Sequence, residues 1–126
     1  INNMITLIID AAQDKVFFKI INDNKSYTNE YSNSRENFDK FTGLLFNFLK
    51  KNNINANKIN NILINQGPGK SSSIRTSISV AKALSITGKL NLYGFKSNQM
   101  KNKNYNEIFE LFDKGKLKKN LIKLYY

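Results

Sequence analysis

The chain has 126 residues, with 20 lysines and arginines against nine acids and a net charge of +11. That length suits one domain with a real core and leaves little room for two. Cysteine and histidine are both absent, which excludes a disulfide scaffold, thiol chemistry, the commonest zinc ligand and the usual general base.

The apolar runs are short, so neither a signal peptide nor a membrane span is predicted, and a cytoplasmic location without membrane contact is expected. Ile5 to Ile9 reads as the first strand, ending in Asp10 and the small pair Ala11-Ala12. Lys15 to Ile21 is the second strand, dense in residues that favour sheets. A turn at Asn22-Asp23-Asn24 leads to a third strand from Ser26 to Tyr31, with Tyr27 and Tyr31 on one face. Such short connections predict an antiparallel meander.

Ser34 is placed to cap a helix from Arg35 to about Lys50, with Glu36 in its first turn and Lys50-Lys51 at its end. Phe38, Phe41, Leu45, Phe48 and Leu49 recur at helical spacing, and Leu44 widens that stripe. Asn55 to Ile59 predicts a single helical turn. Ile62, Leu63 and Ile64 form an uninterrupted apolar run, the pattern of a central strand buried on both faces.

Gly67-Pro68-Gly69 punctuates that strand, and Ser71, Ser72 and Ser73 offer caps for a long helix that Gly88 is placed to end. Ile74, Ile78 and Ala81 lie on one side of this helix, with Val80 and Leu84 on another. A helix apolar on two sides is expected to be covered both by the sheet and by something else. Leu90 to Phe95 reads as a fifth strand. Ser97 to Asn106 is polar; Tyr105, Ile108, Phe109 and Phe112 then have helical spacing, as do Leu117, Leu121 and Leu124 beyond Gly115. The order strand-strand-strand-helix-strand-helix-strand with a small helical tail predicts a mixed α/β sheet flanked by helices.

Charge is unevenly placed along this order. Residues 1–39 hold six acids and four bases, residues 40–106 eleven bases and no acid, and residues 107–126 five bases and three acids. A basic stretch of that kind is compatible with a small RNA-binding module. The plainer account is compositional drift, since the chain also carries twenty-one asparagines and its lysines are scattered rather than interleaved with aromatics.

The glycine turn invites a nucleotide-binding reading. Gly69-Lys70-Ser71 matches the end of a P-loop, but the first glycine of that motif would fall at Ile64, inside the strand. A P-loop enzyme also needs an acid for magnesium, and Asp10 is the only strand-end acid on offer. A phosphate or sulfate resting on the helix start is the better fit, because free amides and Lys70 favour an anion there. The anion-friendly set is Gly67, Pro68, Gly69, Lys70, Ser71, Ser72 and Arg75, and Asp10 is expected to close its strand or bond near the turn.

Several separated landmarks together resemble the amino-terminal domain of the TsaB (YeaZ) family, whose members support synthesis of threonylcarbamoyladenosine at tRNA position 37. Members begin with a strand ending I-D-T-A, echoed by Ile9-Asp10-Ala11-Ala12. Their G-P-G-S-F-T-G-L-R-I-G turn is similar to Gly67 through Ser77, and their small-residue helix to Ala81-Lys82-Ala83-Leu84-Ser85. Tyr93-Gly94-Phe95-Lys96-Ser97 stands where the family has a strand ending G-V-S-S. The resemblance covers residues 4–98. It departs where the family's Ser-Phe-Thr-Gly is Lys70-Ser71-Ser72-Ser73, where a later glycine is Ser77, and where a histidine-serine pair gives way to Arg35-Glu36-Asn37-Phe38.

The resemblance implies an actin/hexokinase-like (ASKHA), ribonuclease H-type five-stranded sheet in the order 3-2-1-4-5. Residues 1–98 would form the TsaB-like domain, and residues 99–126 a short helical tail in place of a second domain. It further implies a non-catalytic scaffold or activator that pairs with a TsaD-like catalytic subunit, in a complex that can include a TsaE-like ATPase. The chain would form a homodimer when alone and touch tRNA weakly or indirectly. No cofactor, metal or catalytic residue is implied: the related TsaD holds its metal through a histidine motif, and no protease nucleophile with a base is present to support the older glycoprotease-like (M22) label. The helices Arg35–Lys50 and Ser72–Gly88 correspond to the pairing helices, with Phe41, Leu44, Phe48, Ser77, Val80, Ala81 and Leu84 as interface candidates. A small basic RNA-binding module and a residual nucleotide-binding protein of the same superfamily are the alternatives.

Overall fold

The computed structural model describes residues 4–88 and 90–119. Six strands form one sheet in the order β3-β2-β1-β4-β5-β6. These are β1 (Ile5–Asp10), β2 (Lys15–Asn22), β3 (Lys25–Ser32), β4 (Asn61–Asn65), β5 (Asn91–Phe95) and β6 (Lys118–Lys119). The first three form the expected antiparallel meander, with Ile9 opposite Phe18 and Ile20 opposite Tyr27. β4 lies parallel to β1 and β5 parallel to β4, so the 3-2-1-4-5 order implied by the family resemblance is the order observed. The two-residue β6 adds an antiparallel edge, pairing Lys118 with Gly94 and Lys119 with Tyr93.

Alternation along each strand divides the core between the two faces of the sheet. Leu7, Ile9, Val16, Phe18, Ile20, Ile62, Ile64 and Leu92 point to one side, where they meet the helices α2 (Phe41–Lys51) and α3 (Ser71–Gly88). Ile8, Leu63 and Phe95 point to the other, under α4 (Tyr105–Asp113). Phe18 centres the larger cluster, its ring 5.6 Å from both Phe41 and Phe48 and edge-on to Tyr31 at 6.2 Å. Because β1 and β4 are buried on both faces, their runs read as continuously apolar.

Two helical expectations need correction. The helix expected from Arg35 to Lys50 is two, α1 (Arg35–Asp39) and α2, with Lys40 ending one and beginning the other at φ −103 and ψ 13. Ser34 caps α1 as expected, accepting from the Asn37 N–H at 3.3 Å, while the Asn37 amide donates to Ser32 O at 2.7 Å and ties the helix to β3. Among the described residues of the tail α4 is the one α-helix, and Lys118–Lys119, which a second helix would have included, is strand. Leu121 and Leu124 lie outside the described residues.

Small side chains set the depth of α3. Ser73, Ser77 and Ala81 recur every fourth residue and are buried, which lets the helix backbone lie close to β4 and β1. The Ser77 hydroxyl donates to Ile74 O at 2.8 Å, satisfying itself within the helix.

Candidate functional site

The carboxyl ends of β1, β4 and β5 converge where the glycine turn, the residue Ser97 and the start of α4 meet. Parallel strands open a crevice at such ends, the general place for a site in an α/β sheet. Asp10 closes β1 and is 2% exposed. Its Oδ1 accepts from the Ala12 N–H at 2.9 Å and from the Asn65 amide at 3.0 Å, and its Oδ2 from the Tyr105 hydroxyl at 2.7 Å. Asn65 in turn accepts from the Gly67 N–H at 2.7 Å, so the strand-end acid and the glycine turn share one network. The Ser97 hydroxyl and the Gln13 amide both donate to Pro68 O, at 2.9 and 3.3 Å.

Gly67 and Gly69 are required for different reasons. Gly67 has φ +106, a region closed to most side chains. Gly69 has no such angle: a Cβ there would collide with the backbone oxygen of Ala12 and stand 2.9 Å from its Cβ. The Lys70 N–H donates to the same Ala12 oxygen at 2.8 Å, so the turn is sewn to the end of β1. The close approach at Gly69 depends on Ala12, a residue far away in the chain.

The anion-friendly set is only partly gathered. Lys70 donates its ammonium to Asn33 O at 2.7 Å, and Ser73 its hydroxyl to Asn33 Oδ1 at 3.0 Å. Asn33 is itself buried and donates to Ala11 O and Gln13 O. The lysine is therefore committed to a backbone carbonyl. Ser71 begins α3, and Pro68, Ser72 and Arg75 lie at the surface.

Of the seven interface candidates, Phe41, Phe48, Ser77 and Ala81 are buried in the chain's own core. Those four belong to the stripes that meet the sheet, as the spacing of Phe41, Leu45 and Phe48 and of Ile74, Ile78 and Ala81 implies. Leu44, Val80 and Leu84 are half-buried, packed at the margin of that core. Two residues that the sequence reading passed over are more exposed: Phe46 on α2 at 42% and Ile86 on α3 at 79%. Their signal was available, since each falls off the phase of its helix's core stripe.

Sequence reasoning also missed the roles of Phe17 and Tyr105. Tyr105, at the first position of α4, stacks face to face on Phe17 with ring centroids 4.0 Å apart and planes 7° from parallel. Burial, and then the Asp10 carboxylate beside it, push the Tyr105 phenol well above its ordinary pKa. A cleft of about 560 Å3 remains around the pair, lined also by Gln13, Glu30, Ser97 and Met100.

Against known proteins, the family described as TsaD, tRNA N6-adenosine threonylcarbamoyltransferase, matches residues 15–105, well over half of the chain. The chain belongs to that family. No curated protein matches it. Among solved structures, YeaZ from Pseudomonas aeruginosa is similar with a TM-score of 0.73 at 13% identity, over 84% of this chain and 50% of that one. A protein described as similar to peptidase YEAZ, also from Pseudomonas aeruginosa, matches equally with a TM-score of 0.73 at 13% identity, over 82% and 49%. RuvC of Thermus thermophilus, in complex with a Holliday junction substrate, gives a TM-score of 0.53 at 9% identity, over 78% and 68%. These are likenesses of fold, and they bear out the ribonuclease H-type, ASKHA-related sheet and the YeaZ resemblance. This member of the TsaD family spans about half the length of the YeaZ structures it matches.

The metal that a TsaD-like site would hold does not fit these residues. Among the described residues no three of His, Cys, Asp or Glu lie together as ligands. The strand-end acid Asp10 is engaged by three protein hydrogen-bond donors and has no second acid or histidine beside it among the described residues. No helix among the described residues is long and apolar enough to cross a membrane.

Proposed function

We propose that the chain is a non-catalytic pairing subunit for the threonylcarbamoyladenosine modification of tRNA, acting beside a TsaD-like subunit. The observation that carries this reading is the state of the strand-end acid. In a member of this family, the position where chemistry would be centred is closed by a tyrosine of the same chain, and the sequence supplies no histidine for a metal. What is left for a partner is helix surface: Leu44, Val80 and Leu84 half-exposed, with Phe46 and Ile86 standing out. Partly exposed apolar side chains on the two helices, Leu44 on α2 and Val80 and Leu84 on α3, suit a helix-on-helix contact.

The same face serves a second copy of the chain when the partner is missing, since a symmetric dimer is the commonest way to cover such a patch. A TsaE-like ATPase would join through the TsaD-like subunit, and tRNA contact would be indirect or weak.

Light scattering with and without a TsaD-like subunit tests the reading. The expected result is a homodimer alone that gives way to a heterodimer on mixing. A chain that stays monomeric at high micromolar concentration and ignores the added subunit defeats the proposal.

A further inference from the structure

A cleft of about 500 Å3 opens on the α4 face of the sheet, at the end away from the glycine turn. β5 and α4 give it three rings. Tyr93 stands edge-on to Phe112 with centroids 5.0 Å apart, and Phe109 lies tilted against Phe112 at 5.8 Å. Tyr93 and Phe112 pack on the small core of Ile8, Leu63 and Phe95; Phe109 stands outside that packing and is half-buried. Two exposed carboxylates flank the rings, Asp23 in the turn after β2 and Asp113 at the last position of α4. Neither is in an ion pair with a described residue. Among the described residues no base lines the cleft. Lys19, on the same face of the sheet, is turned to Asn106 Oδ1 at 3.1 Å, and Lys25, Lys114, Lys116 and Lys119 stand outside the lining. In a chain with 20 bases and nine acids, this is a local exception.

We propose that this cleft binds an aliphatic diamine, its two ammonium groups at Asp23 and Asp113 and its methylene chain over Phe109 and Phe112. Both parts of the lining select positive charge. The face of an aromatic ring attracts a cation, and a carboxylate accepts hydrogen bonds but donates none, so phosphate and carboxylate ligands are disfavoured. The rings also give methylenes an apolar surface to cover. A bare metal ion gains nothing from that surface, and the described residues offer it no third ligand. Two acids rather than one favour two ammonium groups over one. The Thr6 hydroxyl in the cleft wall is a further acceptor. The net charge of +11 repels cations from a distance, and salt screens that repulsion beyond about 8 Å. Capture therefore rests on the local acids and rings. The inference is independent of the pairing function, which uses α2 and α3 on the opposite face of the sheet.

NMR titration of the whole chain with linear diamines from putrescine upward, against the monoamine and diol of matching length, tests it. Ring-proton shifts of Tyr93, Phe109 and Phe112 report occupancy, and circular dichroism confirms the fold of each variant. The best diamine should bind roughly three- to fivefold tighter than its monoamine, the worth of one exposed ion pair, and the diol should leave the rings unshifted. Asp23→Asn with Asp113→Asn should weaken the diamine roughly tenfold. Asparagine tolerates the φ of +56 at position 23, so the turn is kept. Phe109→Leu retains apolar bulk without a ring face and should weaken binding roughly threefold. A diamine no tighter than its monoamine, or one that binds the folded double variant as well as wild type, overturns the proposal. An acetylated peptide with two lysines that binds tighter than every diamine also overturns it, by giving the cleft to a basic polypeptide. Any of these results would leave the light-scattering test of pairing unaffected.

Discussion

At Gly69 a single added methyl group would meet the backbone of Ala12, which cannot move aside without disturbing the end of β1. At Gly67 the obstacle is the dihedral angle itself, φ +106. Gly69→Ala should therefore cost about 2–4 kcal/mol by overpacking against backbone, and Gly67→Ala about 1–3 kcal/mol by strain. Lys70→Ala loses one hydrogen bond to Asn33 O and should cost about 1 kcal/mol; urea unfolding ranks the three. Tyr105 offers a second test. Its raised pKa means that the native state holds the phenolic proton after the unfolded chain has lost it. The stabilisation it brings is fully present below the ordinary tyrosine pKa of about 10 and is lost as pH climbs beyond that. Unfolding free energies should thus fall more steeply above that pH in wild type than in Tyr105→Phe, and parallel pH profiles would contradict the assignment. The sequence showed that a glycine turn and a strand-end acid existed. It could not show that Tyr105, ninety-five positions from Asp10, supplies the acid's third hydrogen bond, because only the packed fold brings the two together.

Between elements, the sequence was most legible where periodicity alone decides the outcome. The meander and the buried β4 follow from alternation and from an unbroken apolar run. The break at Lys40 left no trace, because Phe38, Phe41, Leu45 and Phe48 keep helical phase across it. β6 was equally hidden: two lysines carry no strand signal, and their pairing with Tyr93 and Gly94 depends on where α4 delivers the chain. Helical phase marked the stripes of α2 and α3 that meet the sheet, but it did not exclude four of their residues as interface candidates. The structure separates the two roles, and substitutions can test that separation. Phe48→Ala should cost about 3–5 kcal/mol in unfolding experiments, since the ring is enclosed against Phe18. Ile86→Ser and Phe46→Ser, on the exposed side, should leave stability within about 0.5 kcal/mol while weakening self-association measured by light scattering. Unchanged association in the double variant would remove these two positions from the interface.

Across the whole molecule, the net charge of +11 is not carried by one element. The bases of the acid-free middle sit on separate elements: Lys50 and Lys51 at the end of α2, Lys58 before β4, Lys70 and Arg75 at the start of α3, Lys82 farther along it, and Lys101 and Lys103 before α4. Lys70 is held by a backbone carbonyl, while Lys15 and Lys40 pair with Glu30 and Glu36 at 3.1 Å. A single RNA strand crossing the molecule can engage few of these at once. Each phosphate neutralised on a single strand contributes about 0.7 to the slope of log affinity against log salt. With three or four simultaneous contacts, that slope should be no steeper than about −3, and binding should depend little on sequence. Filter binding of labelled tRNA across a salt series measures it. A slope of about −6 or steeper, together with tight binding by the isolated chain, would mean that the scattered lysines converge on the RNA, and would favour a direct RNA-binding role over the pairing subunit proposed here.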